Sequence, residues 1–351
     1  MPEPRPEPRI VSLIASATEI VAALGFGRNL VGRSHECDFP AEVLALPACS
    51  EPKIDVHGTS REIDERVKSL AGAAVSVYRV FPDVLKRLDP THIITQTQCE
   101  VCAVSLKDVE QAMAEMIGIE RPPQIVSLAP MALADLWTDI RAVGRSLNAA
   151  ARADALVASL QRELDAIHAR AASGGCRHPW RATGAAGSST CESRPSIACV
   201  EWIDPLMSAG NWVPELVEIA GGRNLLGTAG KHSPWLDWNE LIACNADVIA
   251  IMPCGFDIPR TRMELPQLTA DPRWPKLRAV RDGRVYLTDG NQFFNRPGPR
   301  LVESARILAE ILHPDLFGNS LEGTGWVHLD RESAFTLSHS HGRAAVFLFK
   351  S

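Results

Sequence analysis

The chain has 351 residues, 46% hydrophobic and 22% charged, with a formal net charge of −6. That length can bury one large core or two. Mild acidity without any Lys/Arg-rich run argues against nucleic acid, which needs a basic footprint, and no apolar run reaches the ~18–20 residues of a membrane span.

The N-terminus, "MPEPRPEPRI", lacks the basic start, apolar stretch and small-residue cleavage site of a secretory signal. Nine cysteines are an odd count, and Cys199 and Cys244 lie in apolar runs. Buried thiols in a reducing compartment fit this better than a disulfide framework.

Short apolar strands then alternate with helices, the pattern of parallel sheets covered on both faces. "IVAALGFGRNLVG" (20–32) is echoed by "LVEIAGGRNLLG" (216–227), and "LDPTHIITQTQC" (88–99) by "CNADVIAIMPC" (244–254). A third pair of strands falls at "QIVSLAP" (124–130) and "RVYLTDG" (284–290). From Arg28 to Arg223 the offset is 195 residues, but from Cys99 to Cys254 it is 155. The first half therefore carries extra residues, placed at "SHECDFPAEVLALPACSEPKIDVHGTSREIDERVKSL" (34–70). The fold class expected is α/β, with two Rossmann-like lobes at 9–130 and 196–318.

Between the lobes, Leu133, Leu136, Trp137, Ile140, Val143, Leu147, Ala151, Leu156, Leu160, Leu164 and Ile167 recur at helical spacing. With no proline over 131–172, one bridging helix of ~60 Å is expected. Two helices broken near Gly144 or Asn148 are the alternative, since glycine costs only ~1 kcal/mol in a helix. Residues 173–195, rich in Gly, Ser, Thr and Pro, read as a flexible insertion, and 319–351 as a tail.

In parallel α/β sheets, ligands bind past the carboxyl ends of strands. Those loops carry "SATE" (16–19), His35, Glu36, Cys37 and Asp38, then Cys99 and Cys102, then "EWIDPLMSAGNW" (201–212), "MPCGFD" (252–257) and "DGNQFFNRPGPR" (289–300). Thiolates and imidazole suit transition metals, so His35, Cys37, Cys99 and Cys102 are candidate ligands for a transition metal or a metal-bearing group. Thiols that merely cap a helix and pack under the loop are the plainer alternative. Trp202, Trp212, Phe256, Phe293 and Phe294 offer flat apolar walls, and Glu201, Asn211, Asp257, Asn295 and Arg296 polar anchors, for a planar or ring-shaped ligand. No nucleophile elbow, phosphate loop, H-E-x-x-H or dinucleotide fingerprint is present, so the chain does not read as an enzyme.

The segments "RIVSLIASATEIVAALGFGRNLVGRSHECDFP", "LDPTHIITQTQCEVCAVS", "EWIDPLMSAGNWVPELVEIAGGRNLL", "NADVIAIMPCGFD" and "NRPGPRLVE" resemble the cobalamin-binding proteins of ABC importers. Their wider class also carries iron–siderophores and haem, and the His/Cys loops resemble a particular subgroup. The resemblance implies two lobes joined by one long rigid α-helix, a cobalamin-like corrinoid or related metal chelate in the cleft, and little hinge motion. It also implies an ABC permease partner, docked through one acidic residue per lobe, which matches Asp83 and Glu218 here. Family members are exported or lipid-anchored. This chain shows no export signal, so it reads as cytoplasmic as written and periplasmic if the true start lies upstream. The alternatives are a cytosolic free-metal carrier and a thiol- or metal-dependent enzyme acting on a corrinoid.

Overall fold

The computed structural model describes residues 7–72, 76–98, 104–115, 121–174 and 194–329. The N-terminal lobe runs β1 (Ile10–Ser12), α1 (Ala15–Val21), β2 (Leu30–Arg33), β3 (Ser50–Pro52), α2 (Ser60–Gly72), β4 (Tyr78–Val80) and α3 (Pro82–Leu88). It continues with β5 (His92–Gln96), α4 (Leu106–Glu115), β6 (Gln124–Leu128), α5 (Leu133–Ser146) and α6 (Ala150–Ser173). The C-terminal lobe opens with β7 (Ser196–Trp202), β8 (Met207–Ser208), α7 (Val213–Ile219), β9 (Arg223–Asn224), α8 (Trp238–Ala243) and β10 (Val248–Ile251). It closes with α9 (Ile258–Thr269), α10 (Arg278–Arg281), β11 (Val285–Thr288), α11 (Leu301–Leu312), α12 (Pro314–Phe317) and β12 (Trp326–His328).

The sequence echo is an echo of topology. The first sheet has the order β2-β1-β5-β6, all parallel. In the second, β7 pairs in parallel with β9 and β10, and β10 with β11, so the order β9-β7-β10-β11 repeats the first. The two Arg-Asn-Leu motifs hold equivalent places, each feeding the strand beside the first strand of its lobe. β8 and β12 add antiparallel edges. Residues 319–329, assigned to a tail from sequence, therefore belong to the C lobe. Trp326 anchors them by donating from Nε1 to the buried Glu310 (2.8 Å).

The helical stretch over 131–172 is not one helix but two, the alternative read from the sequence with its break at Asn148. α5 ends at Ser146, and Asn148 takes a left-handed φ of 57°, which asparagine tolerates better than most residues. Ala149 N–H returns to Gly144 O at 2.7 Å, closing the turn. α6 then packs so tightly on α5 that a Cβ at Gly144 would lie 2.4 Å from Ala153 Cβ. Gly144 thus marks close packing, not a kink. The bridge is α6, whose 24 residues span roughly 36 Å. It buries Val157, Leu160, Leu164 and Ile167 in a core continuous with α1 of one lobe and α7 and α11 of the other. Eight residues of α11 join the same core. Separate clusters fill the outer faces of the C and N lobes.

Candidate functional site

The carboxyl ends of both sheets face one another. Glu19 of α1, 3% exposed, accepts two bonds from Arg300 of the "NRPGPR" loop, at 3.0 Å from Nε and 2.6 Å from Nη2. Arg296 lies 3.9 Å from Glu19. It also forks onto Asp38 and reaches Asn291 Oδ1 at 2.9 Å. Gly298 lets this loop close in, since a Cβ there would sit 3.2 Å from Glu19 Oε2. Burial opposes ionisation of Asp38, but the Arg296 fork outweighs it and holds the carboxyl below its usual range. These pairs form the floor of the cleft and tie the lobes together.

The N-lobe wall comes from the loop after β2 and the β3–β4 hairpin. His35 Nδ1 is 3.0 Å from Ser50 Oγ, and its ring lies 5.5 Å from that of Tyr78. Burial first, and Arg33 second, lower the imidazole to about 4, so it is neutral near pH 7. Glu36 lines the crevice beside it. Its side chain is 35% exposed, yet crowding protein desolvates the carboxyl and pushes it up to about 7, against the pull of Arg296 and a hydrogen bond with Tyr78.

On the C-lobe side Trp202, half-buried, and Phe256, 6% exposed, have ring centroids 5.2 Å apart. Behind them Glu201 accepts from Ser233 Oγ (2.9 Å) and from Gly210 N–H, while burial pushes it up to about 7. The Cys254 thiol feels Glu201 of its own lobe and Glu36 and Arg296 besides, and burial pushes it up to about 12. Tyr78 in turn feels Cys254. Glu36 and Tyr78 of the N lobe therefore come close to Cys254 of the C lobe.

The other expected residues fall elsewhere. Trp212 and Phe294 were expected to line the cleft but are core residues, 5% and 0% exposed, joined by Trp212 Nε1 donating to Phe294 O at 2.9 Å. Phe293 packs in the same cluster. Asp257 caps α9 by accepting from Arg260 N–H (2.7 Å). Asn295 Nδ2 ties the loops after β10 and β11, donating to Gly290 O (2.9 Å) and Met252 O (3.2 Å). Arg296 is occupied as described, and Asn211, at φ 51°, keeps a buried Oδ1 with no hydrogen-bond partner. Cys37 is 0% exposed, its sulfur accepting from Thr18 Oγ1 at 2.9 Å, and burial raises it to about 11. That is a core thiol, not a metal-facing thiolate. Cys99 and Cys102 lie outside the described residues, as do Cys176 and Cys191. Among the described residues no three His, Cys, Asp or Glu side chains converge as a metal site. Asp83 is exposed in the first turn of α3, and Glu218 pairs with Arg194.

Sequence reasoning missed Tyr78, Glu19 and Arg300 as parts of the cleft. A readable signal existed for the last two: both sit in motifs that follow strands, "SATE" and "RPGPR". Tyr78 gave none, because its strand, just beyond the extra residues, pairs only with β3 and has no counterpart in the second half.

The chain matches the profile of a family described as periplasmic binding protein over residues 10–291. An uncharacterized ABC transporter substrate-binding lipoprotein of Bacillus subtilis, YvrC, is 22% identical over 314 residues, covering 88% of this chain and 81% of that protein. A periplasmic heme-binding protein from Pseudomonas aeruginosa matches with a TM-score of 0.62 at 19% identity, over 88% of this chain and 93% of its own. The periplasmic vitamin B12 binding protein BtuF of Vibrio cholerae matches with a TM-score of 0.56 at 17% identity, over 88% and 97%. At these identities the solved structures establish a shared two-lobed fold.

Proposed function

This chain belongs to the periplasmic binding protein family and is a substrate-binding protein of ABC-importer type, not an enzyme; from that premise we propose that its cargo is a cobalamin-like corrinoid or a related metal chelate, held between the lobes. The observation that supports this is the neutral, half-buried His35 imidazole, held by Ser50 in the loop whose Glu36 comes close to Cys254, between Trp202 and Phe256 in the C-lobe sequence. A flat ring held there would turn its metal toward an uncharged nitrogen donor. Charge favours a corrin over a haem among the ligands named for the structural neighbours. Arg296 and Arg300 at the floor are taken by carboxylates, while among the described residues Glu36 and Glu201 have no Lys or Arg ion-pair partner. Haem propionates would meet acidic groups there, whereas the amide arms of a corrin can donate to them.

Calorimetry with aquocobalamin and haemin, followed also in the corrin absorption bands, tests this. Aquocobalamin is expected to bind at least tenfold tighter than haemin with shifted bands. His35→Ala is expected to abolish the shift and weaken binding about tenfold, on the order of 1.4 kcal/mol. Absence of both heat and spectral change with the corrinoid would remove that cargo.

Asp83 and Glu218 are the proposed contacts for arginines of the permease. The double variant Asp83→Lys/Glu218→Lys is expected to bind cargo as the parent does while permease-dependent uptake falls at least tenfold. Unchanged uptake would place the docking surface elsewhere. No helix among the described residues is long and apolar enough to cross a membrane, and the lipoprotein relative supports work on the outer side of one.

A further inference from the structure

The lobes have little freedom to part. One hydrophobic cluster runs without a break from β1 and α1 through α6 to α7 and α11, and the Glu19–Arg300 and Asp38–Arg296 pairs close the floor. Cargo must reach the cleft by a smaller movement, and α2 is the element built for one. It sits in the extra residues of the N lobe, between β3 and β4, the strands that supply Ser50 and Tyr78 to the cleft wall. Within 60–70, Ser60 is the one fully buried residue, so the helix lacks the apolar anchoring that makes an element as stable as the whole fold. At 13 residues it is also near the length below which an isolated helix is marginal.

What holds α2 in place lies on the opposite lobe. Ser60 N–H and Oγ both donate to Glu264 Oε2, each at 2.9 Å, so a C-lobe carboxylate caps an N-lobe helix at the positive end of its dipole. Arg260 steadies that carboxylate at 2.9 Å and also donates to Gly58 O. Arg61 forks onto Asp204 at 2.8 and 2.6 Å, and Lys68 Nζ stands 4.6 Å above the Trp235 ring. Asp204 directly follows β7 and Trp202, while Arg260 and Glu264 follow Phe256. The latch therefore joins the two lobes next to Trp202 and Phe256, with Arg260 4.4 Å from the centre of the Phe256 ring.

We propose that α2 is the gate of the cleft: it lifts off Glu264 and Asp204 to admit or release cargo while the two lobes stay locked. The inference rests on the cleft being the cargo site, but its first test needs no cargo. Amide hydrogen exchange over 61–70 is expected to run at least tenfold faster in Asp204→Asn/Glu264→Gln than in the parent, with β1, β5, β7 and β10 unchanged. Exchange within twofold of the parent overturns the latch. Acceleration in the strands as well overturns the gate, because α2 would then open only with the lobes. Arg61→Ala, an exposed change that keeps the cap, repeats the test should the double variant fold poorly. With aquocobalamin bound, dissociation is expected to speed up at least tenfold in the latch variants, and an unchanged rate overturns the gate. Absence of aquocobalamin binding to the parent would instead sink the cargo assignment, and exchange would still decide the latch.

Discussion

Glu19→Ala is expected to destabilise the protein by about 3–5 kcal/mol, the cost of leaving buried cations without their partner, and to lower the thermal midpoint by roughly 10 °C. Arg300 is 9% and Arg296 7% exposed, so water cannot replace the lost carboxylate without opening the floor of the cleft. Asp38 still serves Arg296, which leaves Arg300 as the main source of the loss. Glu19→Gln keeps an acceptor for Arg300 and is expected to cost about half as much. Replacing the pair together, as Glu19→Leu/Arg300→Met, should recover most of the stability, since an apolar pair of similar volume is often no worse than a buried ion pair. Urea unfolding followed by circular dichroism measures all three. A loss under 1 kcal/mol for the alanine variant would show that the floor is wet and does not lock the lobes.

Glu201→Gln is expected to do the opposite, in a pH-dependent way. Burial raises the folded carboxyl to about 7 from 4.5. The unfolded chain gives up this proton near 4.5 and the folded one near 7, so stability present at acid pH is lost as pH rises through that window. Above pH 7 the buried charge costs on the order of 3 kcal/mol. The amide can still accept from Ser233 and Gly210 without any charge. The variant's thermal midpoint should therefore match the parent's near pH 4.5 and exceed it by several degrees at pH 8. Taking the difference between the two proteins matters. Glu36 and Asp139 are also raised to about 7, and His35, neutral down to about 4, slopes the other way. A difference that stays flat from pH 4.5 to 8 would show that Glu201 titrates normally and that the C-lobe wall is well hydrated.

Much of the fold was legible because it is written locally. Apolar strands, helical spacing and two Arg-Asn-Leu motifs were enough to read two α/β lobes that echo each other, and the loops past their strands are where Glu19, Asp38, Arg296 and Arg300 meet. The bridging helix was over-read for a physical reason. Apolar spacing continues across Asn148 because α5 and α6 bury faces in the same core, and a single left-handed residue leaves no mark on that period. The aromatics were over-read in the same manner. Trp212, Phe294, Trp202 and Phe256 all stand in similar Gly- and Pro-rich loops, yet of the four only Trp202 keeps partial exposure.

By itself, then, the sequence determined what neighbours along the chain can determine: strand and helix types, the internal repeat, the extra residues of the N lobe and the family they belong to. Only the tertiary structure decided which charges meet. Arg296 and Asp38 are 258 residues apart and Arg300 and Glu19 are 281 apart, and Glu264 caps a helix that begins 204 residues before it. A buried charge takes its partner from whatever the fold brings within about 3 Å, and sequence spacing carries no record of that distance.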